Sequence, residues 1–304
     1  MSYKKIILLF GPTASGKSKL AIDIAKKKQG EIINADSMQV YKEVKILSAR
    51  PSEESIKHHL YGFVSVKDNF SVGEWYKLAT KKIKDIKKKG KTAIVVGGTG
   101  LYFKVLTEGL AKIPEAPKID LSNLKPKARL DLINYYKDKH SKIFEGINLQ
   151  DTQRISRAIS ILNATGITLS DWKKKKNIKY FNSKEFIKIY LNPTKLELEK
   201  RIKKRFLYML KKGAIKEASK FRALDLFAHT MLTSSKIIGL NEIVQFLDKN
   251  ISMKELKEKV LIRTRQYAKR QFTWQRGQMH NWKGFCDLNY LDLRKKVLSY
   301  LSKT

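Results

Sequence analysis

Eight consecutive residues near the amino terminus, Gly11-Pro12-Thr13-Ala14-Ser15-Gly16-Lys17-Ser18, fit G-x-x-x-x-G-K-[ST] at every specified place. Glycines let the backbone turn tightly enough for successive N–H groups to converge on one anion, and the positive end of a following helix adds to the attraction. Lys17 brings a charge and Ser18 a hydroxyl suited to Mg²⁺. A loop of this kind cradles phosphates, those of ATP among them, without saying whose. Two more polar clusters carry groups that could act on a bound phosphate: Asp36-Ser37-Met38-Gln39 and Gly97-Gly98-Thr99-Gly100. Asp36 could be the carboxylate that organises magnesium in a nucleotide hydrolase or part of another active site. The Gly97 to Thr99 stretch could equally be a plain strand-to-helix turn.

These clusters need elements to hold them. Ile6 to Phe10 is a continuous apolar run, as in a strand buried on both faces, and Leu20, Ala21, Ile24 and Ala25 share one face of a helix over 17–28. Gly30 is placed to close that helix. A short strand, Glu31 to Ala35, then delivers Asp36 to its carboxyl end. Ser71-Val72-Gly73-Glu74 is a capping box for a helix that Gly90 ends, and Thr92 to Val96 is a third strand running into Gly97. Strand and helix alternate, which predicts an α/β fold: a P-loop NTPase-like parallel sheet with helices on both faces. Ligands of such sheets bind beyond the carboxyl ends of the strands, where all three polar clusters fall.

Pro114, Pro117 and Pro126 mark a change of pattern. Helices over 128–139 and 152–164 follow without a strand between them, and the sheet resumes at Phe186 to Leu191. The chain therefore reads as a core of 1–112 and 184–304 with an all-helical insertion domain at 113–183. The run Lys173 to Lys176 reads as a solvated loop, and His58-His59 as another. A helix from Thr194 to about Lys212 projects Arg201 and Arg205 from one face, either as a guanidinium clamp over a leaving group or as a surface ion-pair helix. Later, Arg263, Tyr267, Arg270 and Trp274 fall on one helical stripe with Arg265, Lys269 and Arg276 beside them. Cations interleaved with aromatics suit an RNA whose bases stack; the alternative is an amphipathic helix with its aromatics turned inward.

The chain has 304 residues, 64 Lys and Arg against 28 Asp and Glu, and a formal charge of +36. Such a field attracts polyanions and makes their binding salt-dependent, so nucleic acid is the expected partner. There is no apolar run of about 18 residues, and no membrane span is expected. The start, Met-Ser-Tyr-Lys-Lys-Ile, leads directly into the first strand, so neither a signal nor a transit peptide is expected and the protein reads as cytoplasmic. Cys286 is the only cysteine, which excludes an internal disulfide and a zinc site built from cysteine pairs.

Together the motifs resemble those of the tRNA dimethylallyltransferases (tRNA isopentenyltransferases) of bacterial type along nearly the whole chain. The resemblance rests on GPTASGKS at 11–18, INADSMQVY at 33–41, SARPS at 48–52, VGGTGLYF at 96–103, DTQRISRA at 151–158, RIKKR at 201–205 and AKRQFTW at 268–274. It implies transfer of a five-carbon dimethylallyl group from dimethylallyl diphosphate to N6 of the adenosine just 3′ of a tRNA anticodon. The loop 11–18 would hold the diphosphate, with Mg²⁺ on Ser18. Asp36 would be the general base, Thr99 would orient donor or acceptor, and Arg205 would neutralise the leaving group. The tRNA contacts implied are Asp36, Ser37, Met38, Gln39, Gly100, Gln153, Arg154, Ile155, Ser156, Arg157, Lys236, Asn241, Lys269, Arg270, Gln271, Phe272, Thr273, Trp274, Gln275 and Arg276. The insertion would act as a clamp, and the protein would be a monomer. Leu240 stands where the family has an aromatic, Ile159-Ser160 where it has Leu-Glu, and the zinc finger of eukaryotic relatives is missing. Two other readings share parts of this pattern: an adenylate dimethylallyltransferase acting on free nucleotide, and an RNA-binding P-loop ATPase.

Overall fold

A computed structural model of the chain describes residues 4–51, 55–117, 119–121, 124–222, 232–286 and 289–304. Ser52, the last residue of the SARPS motif, lies outside them. The order of elements is β1 (Ile6–Phe10), α1 (Lys17–Lys28), β2 (Gly30–Asn34), β3 (His58–His59), α2 (Val72–Lys88), β4 (Thr92–Gly97), α3 (Gly100–Glu108), α4 (Pro126–Lys139), α5 (Thr152–Thr165), α6 (Leu169–Lys174), β5 (Phe186–Leu191), α7 (Lys195–Lys211), α8 (Ala214–Arg222), α9 (Leu240–Leu247), α10 (Met253–Gln278), β6 (Lys283–Phe285) and α11 (Tyr290–Ser302).

The strands form one sheet in the order β3-β2-β4-β1-β5-β6, and every pair in it is parallel. All five residues of β1 are buried, as a strand covered on both faces requires. On one face, Leu20, Ile24 and Ala25 of α1 and Leu293, Val297 and Leu301 of α11 pack against alternate residues of the sheet, among them Ile7, Leu9, Ile94 and Ile189. β1 lies between β4 and β5, so the phosphate loop leaves the sheet at an interior strand. The sharp turn after β1 points it at the carboxyl ends of both neighbours.

Helix ends follow local chemistry. The α2 capping box is complete: Ser71 Oγ accepts from Glu74 N, and Ser71 N donates to Glu74 Oε2 at 2.7 Å. Gly30 does not end α1. Gln29 carries the left-handed cap at φ 50°, and Gly30 opens β2, paired with Thr92. His58 and His59 form the edge strand β3 rather than a loop, and His59 Nε2 lies 2.7 Å from Glu31 Oε2. Lys173 and Lys174 belong to α6, where Lys174 pairs with Asp171, and only Lys175 and Lys176 lie beyond it.

The chain divides into two compact units, one running up to Thr107 and resuming over Phe181–Thr304, the other Glu108–Tyr180. The second begins and ends slightly earlier than the prolines suggest. Leu110 and Ile178 form an isolated antiparallel bridge at its base, each donating its N–H to the other's carbonyl. Inside it, Ile133, Phe144, Ile155, Ile159 and Leu162 form a separate core. A third core, around Val40, Tyr41, Phe206, Phe221, Leu240 and Ile243, packs the segment after β2 on helices α7 to α10. Leu240 is fully buried there, so the residue that departs from the family's aromatic serves packing.

Candidate active site at the carboxyl ends of β1, β2 and β4

The phosphate loop is closed by its own backbone. Gly11 N donates to Gly97 O at 3.3 Å and Ser15 N to Pro12 O at 3.2 Å, while Ala14 and Gly16 adopt positive φ of 62° and 89°. The N–H groups of Ala14, Gly16, Lys17 and Ser18 have no acceptor among the described residues. Those of Lys17 and Ser18 belong to the first turn of α1, where intrahelical acceptors are missing by construction. Ser15 Oγ is buried without a partner, and the Lys17 ammonium, 8% exposed, reaches only Pro12 O at 3.2 Å. Burial pulls the Lys17 pKa down to about 8; the Asp36 carboxylate opposes the shift and the Arg205 cation adds to it. A loop lined by donors with no acceptors of their own is complementary to an anion.

Asp36 is held at the end of β2 from three sides. Trp75 of α2 donates its indole N–H to Asn34 O at 2.7 Å and stacks on Tyr102 with ring centroids 4.3 Å apart. Asn34 Oδ1 accepts from Asp36 N at 2.8 Å, and Asn34 Nδ2 donates to Asp36 O and to Leu60 O. Asp36 Oδ1 accepts from Met38 N at 3.1 Å, while Oδ2 has no donor among the described residues. Thr99 follows β4. Its N–H donates to Ala35 O at 3.1 Å, and its Oγ1 accepts from Ser37 N at 2.9 Å. This approach needs glycine at 97, because a Cβ there would lie 2.0 Å from Ala35 O.

The two arginines of α7 separate. Arg201 Nη1 donates to Ser15 O at 3.4 Å and its Nε pairs with Glu197 at 2.7 Å, so it braces the outside of the loop. Arg205 turns inward, where burial lowers its pKa and the neighbouring Asp36 and Tyr267 oppose the shift. Tyr267 enters from α10: burial and the Asp36 charge push its phenol upward, and the Thr99 hydroxyl and the Arg270 and Arg205 cations partly offset them. Lys17, Arg205 and Tyr267 thus each feel the Asp36 charge, and Thr99 is tied to Ser37 next to it.

α10 does not carry the stripe expected of it. Its inward face is Arg263, Tyr267, Gln271 and Trp274. Arg263 pairs with the buried Glu242; Gln271 is 4% exposed; and the Trp274 ring lies against Gly100 with Nε1 buried. Among its exposed positions are Ile262, Arg265, Gln266, Lys269, Arg270, Thr273 and Arg276. The aromatics therefore pack inward, and base stacking on Tyr267 and Trp274 is not what this surface offers. Phe272 packs beside Leu198, Ile202 and Ala268. The expected stripe holds Arg270 where the inward face holds Gln271, and Arg270 is exposed.

Other residues expected on the RNA side divide in the same way. Ser37, Met38, Asn241 and Gln275 are half-buried and Lys236 is exposed. Gln39 is buried, its amide donating to Ser48 O and Ala49 O. In the helical unit Gln153, Arg154 and Arg157 are exposed. Ile155 is fully buried and Ser156 Oγ donates to Ile119 O, so both hold the core of that unit rather than its surface.

A profile of the IPP transferase family matches residues 39–278. The tRNA dimethylallyltransferase of Pelagibacter ubique is 46% identical over 289 residues, covering 91% of this chain and 90% of that one. That of Parvibaculum lavamentivorans is 40% identical over 307 residues, covering 98% and 96%. Among solved structures, the full-length tRNA isopentenylpyrophosphate transferase of Bacillus halodurans superposes with a TM-score of 0.71 at 27% identity, covering 99% of this chain and 96% of that one. A eukaryotic dimethylallyltransferase acting on tRNA gives 0.77 at 26% identity, covering 98% and 77%. By sequence and by fold, the chain belongs to the IPP transferase family.

Proposed function

We infer that this protein is a prenyltransferase that moves the dimethylallyl group of dimethylallyl diphosphate onto tRNA, at N6 of the adenosine just 3′ of the anticodon. One observation carries the reading: a donor-lined anion loop with Lys17 and Arg205 faces a carboxylate, Asp36, one oxygen of which is free to accept a proton. A hydrolase would place that carboxylate toward a water; here the +36 charge and the cationic outer face of α10 favour RNA as the acceptor.

The chemistry follows from the groups present. As the allylic C–O bond breaks, its electron pair stays with the diphosphate, and the loop N–H groups, Lys17 and Arg205 stabilise that charge. The adenine N6 lone pair forms the new C–N bond, and Asp36 Oδ2 takes the proton the amine then sheds, a role worth about 10² to 10⁴ in rate. Thr99, fixed to Ser37, orients the reacting groups. An adenine stacked in an anticodon loop cannot reach a half-buried carboxylate, so the base must flip out, at a cost on the order of a few kcal/mol. The outer face of α10, with Lys269, Arg270 and Arg276, and the exposed Gln153, Arg154 and Arg157 are assigned to the RNA backbone on the same reading.

Mg²⁺ fits this site as an ion carried by the diphosphate. The described residues contain no His, Cys, Asp and Glu cluster that would cage a metal, whereas Ser18 sits half-buried at the end of the loop with its hydroxyl as an oxygen ligand. Bound there, it would add charge neutralisation on the leaving group, with Ser18 as its protein ligand.

The test is incubation with dimethylallyl diphosphate and, separately, unmodified tRNA, AMP and ATP, read by mass spectrometry. Dimethylallylated tRNA is the expected product. Modified AMP, or phosphate release from ATP without alkylation, would overturn the reading.

A further inference from the structure

Gln271 is buried on α10, four residues after Tyr267, and both ends of its carboxamide are used. Oε1 accepts from Thr13 N at 2.8 Å, and Nε2 donates to Gly98 O at 2.9 Å. The amide therefore bridges the third residue of the phosphate loop and the turn after β4. Gly98 makes room for it: a Cβ at 98 would lie 2.1 Å from Gln271 Nε2. The bridge also settles which loop donors remain. Gly11 N is spent on Gly97 O, Thr13 N on Gln271 and Ser15 N on Pro12 O, which leaves Ala14, Gly16, Lys17 and Ser18, all on the α1 side of the loop. On the β4 side the loop is backed by a neutral side chain already engaged at both ends.

We propose that Gln271 is a positioning residue that holds the phosphate loop in a form selective for diphosphate over triphosphate. It acts on the leaving group through Thr13 and does not contact RNA. The proposal rests on the reading that the loop binds the donor's diphosphate. Its physical basis is twofold: Thr13 N–H is withheld from ligand, and a third phosphate on the β4 side would have to displace an amide that makes two hydrogen bonds, one part-buried and one buried.

Isothermal titration with inorganic diphosphate, with tripolyphosphate and with unmodified tRNA, each against wild type, Gln271→Ala and Gln271→Glu, tests this. Gln271→Glu keeps the shape and the acceptor for Thr13 but sets a negative oxygen against Gly98 O, so it stands in if the alanine variant does not fold. The expected result for either variant is a diphosphate affinity lowered roughly tenfold, the loss of about one buried hydrogen bond. The tRNA affinity should stay within about twofold of wild type, and KM for the donor should rise more than kcat falls. For Gln271→Ala, the ratio of tripolyphosphate to diphosphate affinity should rise. A drop in tRNA affinity with diphosphate unchanged would make Gln271 an RNA contact, and a parallel fall for both phosphates would remove the selectivity; either overturns the proposal. If wild type itself binds no diphosphate, the reading of the loop fails instead, and the two failures are distinguishable.

Discussion

The backbone N–H of Ser37 donates to Thr99 Oγ1 at 2.9 Å, so the segment that carries Asp36 is fastened across the sheet to the turn that follows β4. Thr99→Ala removes this lock and should lower kcat about 10- to 100-fold, the usual cost of a small misplacement of reacting groups, with donor KM little changed. Thr99→Ser keeps the hydroxyl and should retain most of the activity. Equal activity in both variants would remove Thr99 from the catalytic arrangement.

Lys17 gives a pH dependence with a definite sign. Its pKa in the free site is about 8, below the ordinary lysine value because of burial, so the cation that attracts diphosphate is lost as pH rises through that region. Donor KM should therefore increase above pH 8 in wild type. In Lys17→Arg, whose guanidinium stays charged, the increase should be absent. A flat wild-type profile to pH 9.5, a value about one and a half pH units above that pKa, would mean that Lys17 is not the controlling charge.

The two faces of α10 should separate experimentally. Lys269→Ala and Arg270→Ala, on the exposed face, should each weaken tRNA binding and reduce the slope of log K against log salt by about one. Tyr267→Phe, on the inward face, should lower kcat and leave that slope unchanged. If Tyr267→Phe changes the slope as much as Arg270→Ala does, the helix is turned differently from the arrangement described here.

Far from the loop mouth, at the sheet edge, Glu31 is bound by Lys91 Nζ at 2.8 Å and by His59 at 2.7 Å. Burial alone would raise its pKa; the hydrogen bonds from Lys91 and His59 outweigh burial and hold it at about 2. Because the folded value is depressed, this stabilisation is present above the ordinary glutamate range and is lost as pH falls toward 2. Glu31→Gln should cost about 1 to 3 kcal/mol at neutral pH, with the gap from wild type narrowing below pH 4.5 in urea titrations. A pH-independent difference would assign the loss to packing instead.

Where a residue's role is fixed by its immediate neighbours in sequence, the sequence reveals it. The loop 11–18, the capping box at Ser71 and the buried runs of β1 and β5 are of that kind, since turn, cap and strand are each encoded within a few residues. The convergence of Asp36 and Thr99 was legible one level up, because a parallel sheet brings all its carboxyl ends to one side. What did not show was the orientation of α10. Period alone places Arg263, Tyr267, Arg270 and Trp274 on a stripe but cannot say whether the stripe faces protein or solvent, nor that Gln271 is the residue that reaches Thr13 and Gly98, which lie far from it in the chain. His59 was missed for a similar reason, since its partner Glu31 lies on another strand.

On the proposed function, Asp36 takes the proton from the acceptor amine while the loop grips the departing diphosphate. Single-turnover transfer to unmodified tRNA by Asp36→Asn, with tRNA and diphosphate affinities measured on the same preparation, tests it most directly. Transfer should be slowed by about 10² or more with both affinities within a few fold of wild type. Transfer at the wild-type rate, or a loss explained wholly by failure to bind either substrate, would contradict it.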